Sequence, residues 1–510
     1  MYKKQIGLFL SVCLLLTAVT GVVAQNSSTL TIALPNDPTS LYLPRGADVT
    51  ARNAALPLYD SLVYIDNDGV VQPLLATDWT LSDNDLEWTF NLREGVTFHN
   101  GEAFNADAVV KTWELGLDET NDWVQDFSIV EAIDVVDDFT IIVKTAEPAP
   151  FLLNRMDQRW GIVPPAYADE VGVDGLGTAP VGTGPFKFVE RRTGDRIVYE
   201  ANTQYWAEGQ PGVENLVFRI IPDATTRLAA VQTGEIDIAP RLDADLAATL
   251  EGLNNVSVLA YPADRVYYVG FKNVGPGEGA PTEDILVRQA LNYAVDRPGI
   301  VQGLFGGQAV LISGFLIESN LGFNADIEPY PYDPDRALEL LAEAGYPDGE
   351  GLSLSMGCPT DAYLNINEVC LAIQRDLSSI GIDIALEFET SGSYWSEPQY
   401  GSVGLMYVDS WSAPDAPEPM NRLGGALTQG NYYNTWEDDT ITDFLSQLLT
   451  TMEASDRAGL YTDLHTYMYE NPPFIYLYAA NSFEGVASRV EGYAPNGAEL
   501  YRVNTITISE

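Results

Sequence analysis

Histidine is nearly absent from this chain: 510 residues contain two, His99 and His465, together with three cysteines. That scarcity excludes most metal centres and any nucleophilic triad that does not recruit one of those two imidazoles. The motifs that would argue otherwise are missing as well, with no H-E-x-x-H, no G-x-x-x-x-G-K-[ST] phosphate loop, no G-x-S-x-G elbow and no pair of C-x-x-C knuckles. No metal and no cofactor are expected. His99, in a turn ending Asn100-Gly101, reads as a structural hydrogen-bonding residue. His465, beside Leu464, Tyr467 and Met468 at helical spacing, reads as a helix-surface residue.

Positive charge is the next shortage. Lysine and arginine number 26 against 73 acids, a formal net charge of −47. Such a surface repels phosphate, so nucleic acid and anionic membranes are excluded as partners. The acids are spread along the chain, as on a solvated acidic face; the alternative is steering of cationic ligands.

Long apolar runs are lacking too. The best of them follows Lys3 and Lys4, runs from Ile6 to Thr20 and ends at Val22-Val23-Ala24, which are the three parts of a secretory signal peptide over residues 1–24. It is shorter than the roughly 20 apolar residues of a membrane span. Cys13 lies inside the run after Val12 and before three leucines, a core position of the signal rather than a lipid-attachment site. Loss of Lys3 and Lys4 takes 26 basic residues to 24, so the mature charge is −49. An exported chain is expected, periplasmic or extracellular, on the outer side of the cytoplasmic membrane. Disulfides persist there, and Cys358 and Cys370 stand twelve positions apart; a bridge is expected, with two buried thiols as the alternative.

What the chain does have is a legible stretch from Val181 to Ala239. Val181-Gly182-Thr183-Gly184-Pro185 makes a turn, Phe186 and Phe188 alternate with Lys187 and Val189, Thr193-Gly194 reverses the chain, and Ile197 to Tyr199 return as a hairpin. The apolar run Leu216 to Ile221 reads as a strand buried on both faces. Asp223 offers a helix N-cap, Gly234 a C-terminal stop, and Ile236 to Ala239 another strand. Strand, helix and strand imply a parallel crossover and an α/β layer. A second block, Gln72 to Glu114, places Leu86, Trp88, Phe90 and Leu92 on one strand face, with Asn105 capping the helix that follows.

These strings closely resemble the GTGP…GD…NPxYW…PD…GEID pattern of the extracytoplasmic solute-binding proteins of ABC importers, in the peptide, nickel and oligosaccharide class. The resemblance runs from about Leu30 to the C-terminus. It implies a two-lobed, periplasmic-binding-protein-like (type II) α/β fold with an extra inserted domain. By that analogy residues 25–67, 183–269 and 484–510 form a discontinuous lobe I, 68–182 the insert, and 270–483 lobe II. The implied activity is binding without catalysis, by a monomer that hands a small ligand to membrane permease subunits.

The ligand-binding candidates come from two regions. In the family, the segment matching Asp37, Thr39 and Ser40 lines the ligand groove, though here the S-L-D-P signature is half kept as Ser40-Leu41-Tyr42-Leu43. The second region, Ser393 to Trp436, is dense in aromatics that suit a stacking cleft, among them Trp395, Trp411, Tyr432 and Tyr433. Residues 410–419 resemble a family segment whose acid meets the amino terminus of bound peptides; the matching acid here, Asp415, comes one position late. An oligopeptide is the expected ligand, an oligosaccharide the alternative, and a nickel chelate the third. Because acids abound, a secreted glycoside hydrolase using paired carboxylates is the alternative of a different class.

Overall fold

The computed structural model describes residues 28–46, 48–66, 69–360, 362–401, 403–413 and 417–509. The signal-peptide reading of residues 1–24 and the candidate Asp415 lie outside that set.

Among the described residues an eleven-stranded mixed sheet runs through the molecule, one short strand of it, Ala309–Leu311, pairing with Phe474–Ala487 off the main path. At its centre are two long antiparallel strands, Val256–Phe271 and Phe474–Ala487, which pair along most of their length. Beyond Phe474–Ala487 on one side lie Ile238–Leu242, Thr29–Leu34 and Asn215–Ile220, mutually parallel, and then an antiparallel hairpin of Arg196–Ala201 and Phe186–Arg192. Beyond Val256–Phe271 on the other side lie Met406–Ser412, Ser353–Pro359 and Asp383–Glu389, again mutually parallel.

The crossover predicted from sequence is present. The helix Ala224–Thr233 starts where the Asp223 carboxylate accepts the Thr226 N–H at 2.7 Å, and it stops at Gly234, which adopts φ 75°. The strands on either side of it flank Thr29–Leu34 and run parallel to it. One expectation is corrected: Asn215–Ile220 is not buried on both faces. Leu216, Phe218 and Ile220 are buried while Val217 and Arg219 are half-buried, because Arg219 extends its guanidinium to Glu235 at 2.9 Å. A second correction concerns Asn105, which precedes the helix Ala106–Gly116 without a side-chain cap. The Ala106 N–H instead donates to the Asp138 carbonyl at 2.8 Å, so a tertiary contact satisfies that donor.

A separate four-stranded sheet, Ala76–Leu81, Glu87–Leu92, Thr140–Thr145 and Val130–Asp137, has its own core around Trp88, Phe90 and Phe127, the last stacked on Trp160 at 4.9 Å. Asp60 fastens this region to the hairpin. Its buried carboxylate accepts hydrogen bonds from Thr183 at 3.0 Å, Tyr205 at 2.9 Å and Trp206 at 3.0 Å. The turn and the Asn202 to Trp206 segment are thus two halves of one joint. Burial raises the Asp60 pKa while those donors oppose the shift.

On the far side of the sheet, Cys358 at the end of Ser353–Pro359 is joined to Cys370 in the helix Ile366–Ser379, with Cα atoms 6.4 Å apart.

Candidate functional site

Strand directions locate the site. Ile238–Leu242 and Thr29–Leu34 run the same way as Val256–Phe271, whereas Met406–Ser412 and Ser353–Pro359 run against it. The carboxyl ends of the two parallel sets therefore face each other across the long strands. Open α/β sheets bind ligands in the crevice outside those ends. The pairing of the long strands slips between Pro262 and Val266 and again between Tyr267 and Tyr268, so the ladder is interrupted where the two halves meet.

One wall grows from Met406–Ser412. Asp409 lies in this strand after Met406, Tyr407 and Val408, and it is 3% exposed. A carboxylate there needs donors. It receives them from the Tyr363 hydroxyl at 2.6 Å, the Tyr400 hydroxyl, the Trp395 indole at 3.3 Å and the Ser410 N–H at 2.7 Å. Burial still raises its pKa. Two residues on, the Trp411 ring lies over the backbone of Gly425 in the helix Met420–Leu427, where a Cβ on residue 425 would come within 2.1 Å of the indole. Tyr433 meets Trp411 edge-on at 5.4 Å and Tyr432 at 4.9 Å, and the Tyr432 hydroxyl donates to the Trp395 carbonyl at 3.1 Å. Trp395, Trp411, Tyr432 and Tyr433 are thus brought together, each half-buried or exposed.

The opposite rim carries the other candidates. Asp37 accepts from Arg191 at 2.5 Å and from the Gly194 N–H, which ties the loop after Thr29–Leu34 to the hairpin turn. Thr39 is exposed; Ser40 is buried and its hydroxyl oxygen accepts the Tyr42 N–H at 3.0 Å. Asp37 and Ser40 thus make local contacts, and among the described residues none of the three bonds to the aromatic wall. Nearby, Arg241 holds Glu499 through two hydrogen bonds of 2.9 and 2.5 Å, beside a small cavity that Leu34, Asn53, Glu484 and Tyr501 also line. Glu499 is half-buried, and although desolvation pushes its pKa up, the Arg241 guanidinium, Ser482 and Arg265 together hold it below the usual range.

A buried ion pair fixes the wall to the crossing. Asp264, within the interrupted stretch, meets Arg422 of the Met420–Leu427 helix, and both are at most 3% exposed. Asn320 completes the cluster by donating to Asp264 at 3.3 Å while accepting from Arg422 at 3.1 Å.

Sequence reasoning missed Asp409, Tyr363, Asp264, Arg265 and Tyr267. Only Asp409 had a local signal, an acid closing an apolar run two residues before Trp411. His465 is a correction: it is fully buried rather than on a helix surface, with Ser313 at 3.3 Å from Nε2 and the Asn324 N–H at 3.2 Å from Nδ1. Its helix is covered by the 313–324 segment, which helical periodicity does not reveal. His99 accepts the Gly182 N–H at 3.4 Å and bonds the Gly184 carbonyl at 2.9 Å, holding the turn. Desolvation lowers both imidazoles to about 4. Among the described residues no cluster of metal-ligating side chains occurs, and no helix is long and apolar enough to cross a membrane.

Comparison with known proteins adds three findings. The family model for bacterial extracellular solute-binding proteins, family 5 (middle region), matches residues 70–434. Heme-binding protein A of Haemophilus influenzae is 31% identical over 465 residues, covering 84% of this chain and 83% of that protein. Two solved structures, each 25% identical, share the fold over 94% of this chain. They are HbpA2 from Haemophilus parasuis, with a TM-score of 0.84 over 100% of that chain, and the periplasmic binding protein DppA from Helicobacter pylori in complex with peptide STSA, with 0.79 over 98%.

Proposed function

Because this chain belongs to the family 5 bacterial extracellular solute-binding proteins, we propose that its ligand is a short peptide held in the crevice between the strand ends. The protein is a receptor of an ABC importer with a type II periplasmic-binding-protein fold, and it is not an enzyme. Membership in a family of binding proteins removes the glycoside-hydrolase alternative.

The observation that carries the peptide reading is the half-buried aromatic wall of Trp395, Trp411 and Tyr433, facing a rim of polar groups across the crossing strands. Aromatic faces accept varied apolar side chains, and a polar rim can pair with a peptide backbone. Peptide binding by a 25% identical structural relative supports this reading. Haem is disfavoured, since both histidines have their ring nitrogens engaged in hydrogen bonds within the protein. The same wall would stack on sugar rings, so an oligosaccharide is the second reading.

In this proposal residues 25–67, 183–269 and 484–510 close as lobe I on lobe II, residues 270–483, with 68–182 as an inserted domain. The monomer, outside the cytoplasmic membrane in a periplasm or at the cell surface, then presents its ligand to the permease. Native mass spectrometry of the purified protein, followed by calorimetry with short peptides and with cello- and xylo-oligomers, tests it. Copurified peptide and peptide affinity are expected; sugar binding with no peptide binding transfers the site to the second reading.

A further inference from the structure

Acids outnumber lysine and arginine 73 to 26, and most buried arginines among the described residues are held by several backbone carbonyls or by a carboxylate. Arg227 donates to four backbone carbonyls, and Arg288 and Arg297 to three each. Arg422 and Arg457 hold carboxylates. Arg265 differs. Half-buried in the interrupted stretch of Val256–Phe271, it makes one side-chain hydrogen bond, Nη1 to the Ser410 hydroxyl at 2.8 Å, and no ion pair among the described residues. A guanidinium has five N–H donors.

Two positions along the same strand, and so on the same face, stands Tyr267. Its ring stacks on that of Tyr478, its partner across the long strands, at 4.9 Å. The Tyr478 side chain is 1% exposed and its hydroxyl has no hydrogen-bond partner among the described residues. A buried donor without an acceptor is costly. Among the described residues the Tyr267 hydroxyl makes no side-chain hydrogen bond either. Burial raises its pKa, and the charge that most opposes the rise is the Arg265 guanidinium, so the two groups are neighbours.

We propose that Arg265, with the hydroxyls of Tyr267 and Tyr478, is the subsite for a carboxylate of the ligand. One guanidinium and two phenols supply donors to both oxygens of a carboxylate, and an arginine fork matches that geometry. A monoanion fits better than a phosphate. Glu499 and Asp409 lie close enough to act on Tyr267, and Asp264 on Arg265; Arg241 and Arg422 are already paired with Glu499 and Asp264, so a second negative charge would find no further unpaired cation there among the described residues. The inference rests on the peptide reading and narrows it: the carboxylate is either the C-terminus or an acidic side chain.

The test is native mass spectrometry and calorimetry of the full mature chain with two tripeptide mixtures, one with free C-termini and one C-terminally amidated. The parent protein is expected to retain the free acids at least tenfold better than amides. Retained amides should all contain Asp or Glu if the side chain is the source. Arg265→Gln should abolish this discrimination, Arg265→Lys should restore part of it, and Tyr478→Phe should reduce it several-fold with an unchanged melting temperature. Equal retention of acids and acid-free amides by the parent overturns the carboxylate subsite and leaves the peptide reading standing. Retention of neither mixture overturns both. An unfolded Arg265→Gln protein leaves the decision to the parent and to Arg265→Lys, which must still prefer acids.

Discussion

The Tyr261 hydroxyl lies 2.9 Å from a carboxylate oxygen of Glu484, a diagonal pair on the two long strands that cross between the halves of the molecule. Tyr493 at 2.5 Å and Tyr501 at 3.3 Å donate to the same carboxylate, which is 1% exposed. The crossing is therefore held by side chains as well as by its interrupted backbone ladder, and its central acid is removed from water.

That burial has a pH signature. Desolvation outweighs the tyrosine donors and raises Glu484 from 4.5 to about 7. Between those values the folded state holds a proton that the unfolded state has released, so the group's stabilising contribution is complete below 4.5 and is lost as pH rises to 7. At about 1.4 kcal/mol per pKa unit the loss is on the order of 3 kcal/mol. His99 and His465, lowered to about 4, act in the opposite direction, since their contribution is present above 6.5 and fades as pH falls toward 4. Glu484→Gln isolates the acid. Its melting temperature relative to the parent should rise between pH 5 and pH 8; a constant difference would contradict a proton on Glu484.

The Cys358–Cys370 bridge closes a short loop between a strand end and the helix packed beside it. In the chain-entropy model such a loop contributes roughly 3 kcal/mol. Intact-mass analysis of the native protein should find neither thiol alkylated without reduction, and Cys358→Ser with Cys370→Ser should lower the denaturation midpoint accordingly. Full alkylation of the unreduced protein rejects the bridge.

Much of the frame was readable because its signals are local. The Asp223 cap, the Gly234 stop and the alternation of Trp88, Phe90 and Leu92 each follow from a few neighbouring residues. The side-chain joints were not readable. Asp60 meets Trp206 across 146 positions and Asp264 meets Arg422 across 158, separations at which no periodicity carries information. The aromatic wall is intermediate: its residues were visible as a dense patch, whereas Asp409, which orients Trp395 and Tyr363, gains meaning only once it is known to be buried.

Asp415 follows the Trp411 strand and is proposed to pair with the amino terminus of a bound peptide. An ammonium group taken from water requires a counter-charge, and truncating one member of such a pair costs about 2–5 kcal/mol. Asp415→Asn should weaken free tripeptides at least tenfold, while N-acetylated tripeptides bind poorly to the parent and lose little more on mutation. Equal affinity of the parent for acetylated and free peptides removes Asp415 from the amine site.

Trp411 depends on Gly425 for its position. A methyl group at residue 425 would lie 2.1 Å from the indole, closer than any real contact, so Gly425→Ala must displace the ring and disturb its edge-on meeting with Tyr433. Overpacking of this kind costs about 1–3 kcal/mol when the neighbour cannot move. Trp411 is half-buried and can move, so the penalty should fall on binding rather than on folding. Calorimetry with a short peptide is expected to show at least a tenfold loss for Gly425→Ala and for Trp411→Ala, with the melting temperature of Gly425→Ala lowered by only a few degrees. The double variant decides the mechanism. If Gly425 acts through the indole, adding Gly425→Ala to Trp411→Ala costs nothing further, because the atoms that would collide are gone. Additive losses would show instead that the Met420–Leu427 helix reaches the ligand by another route.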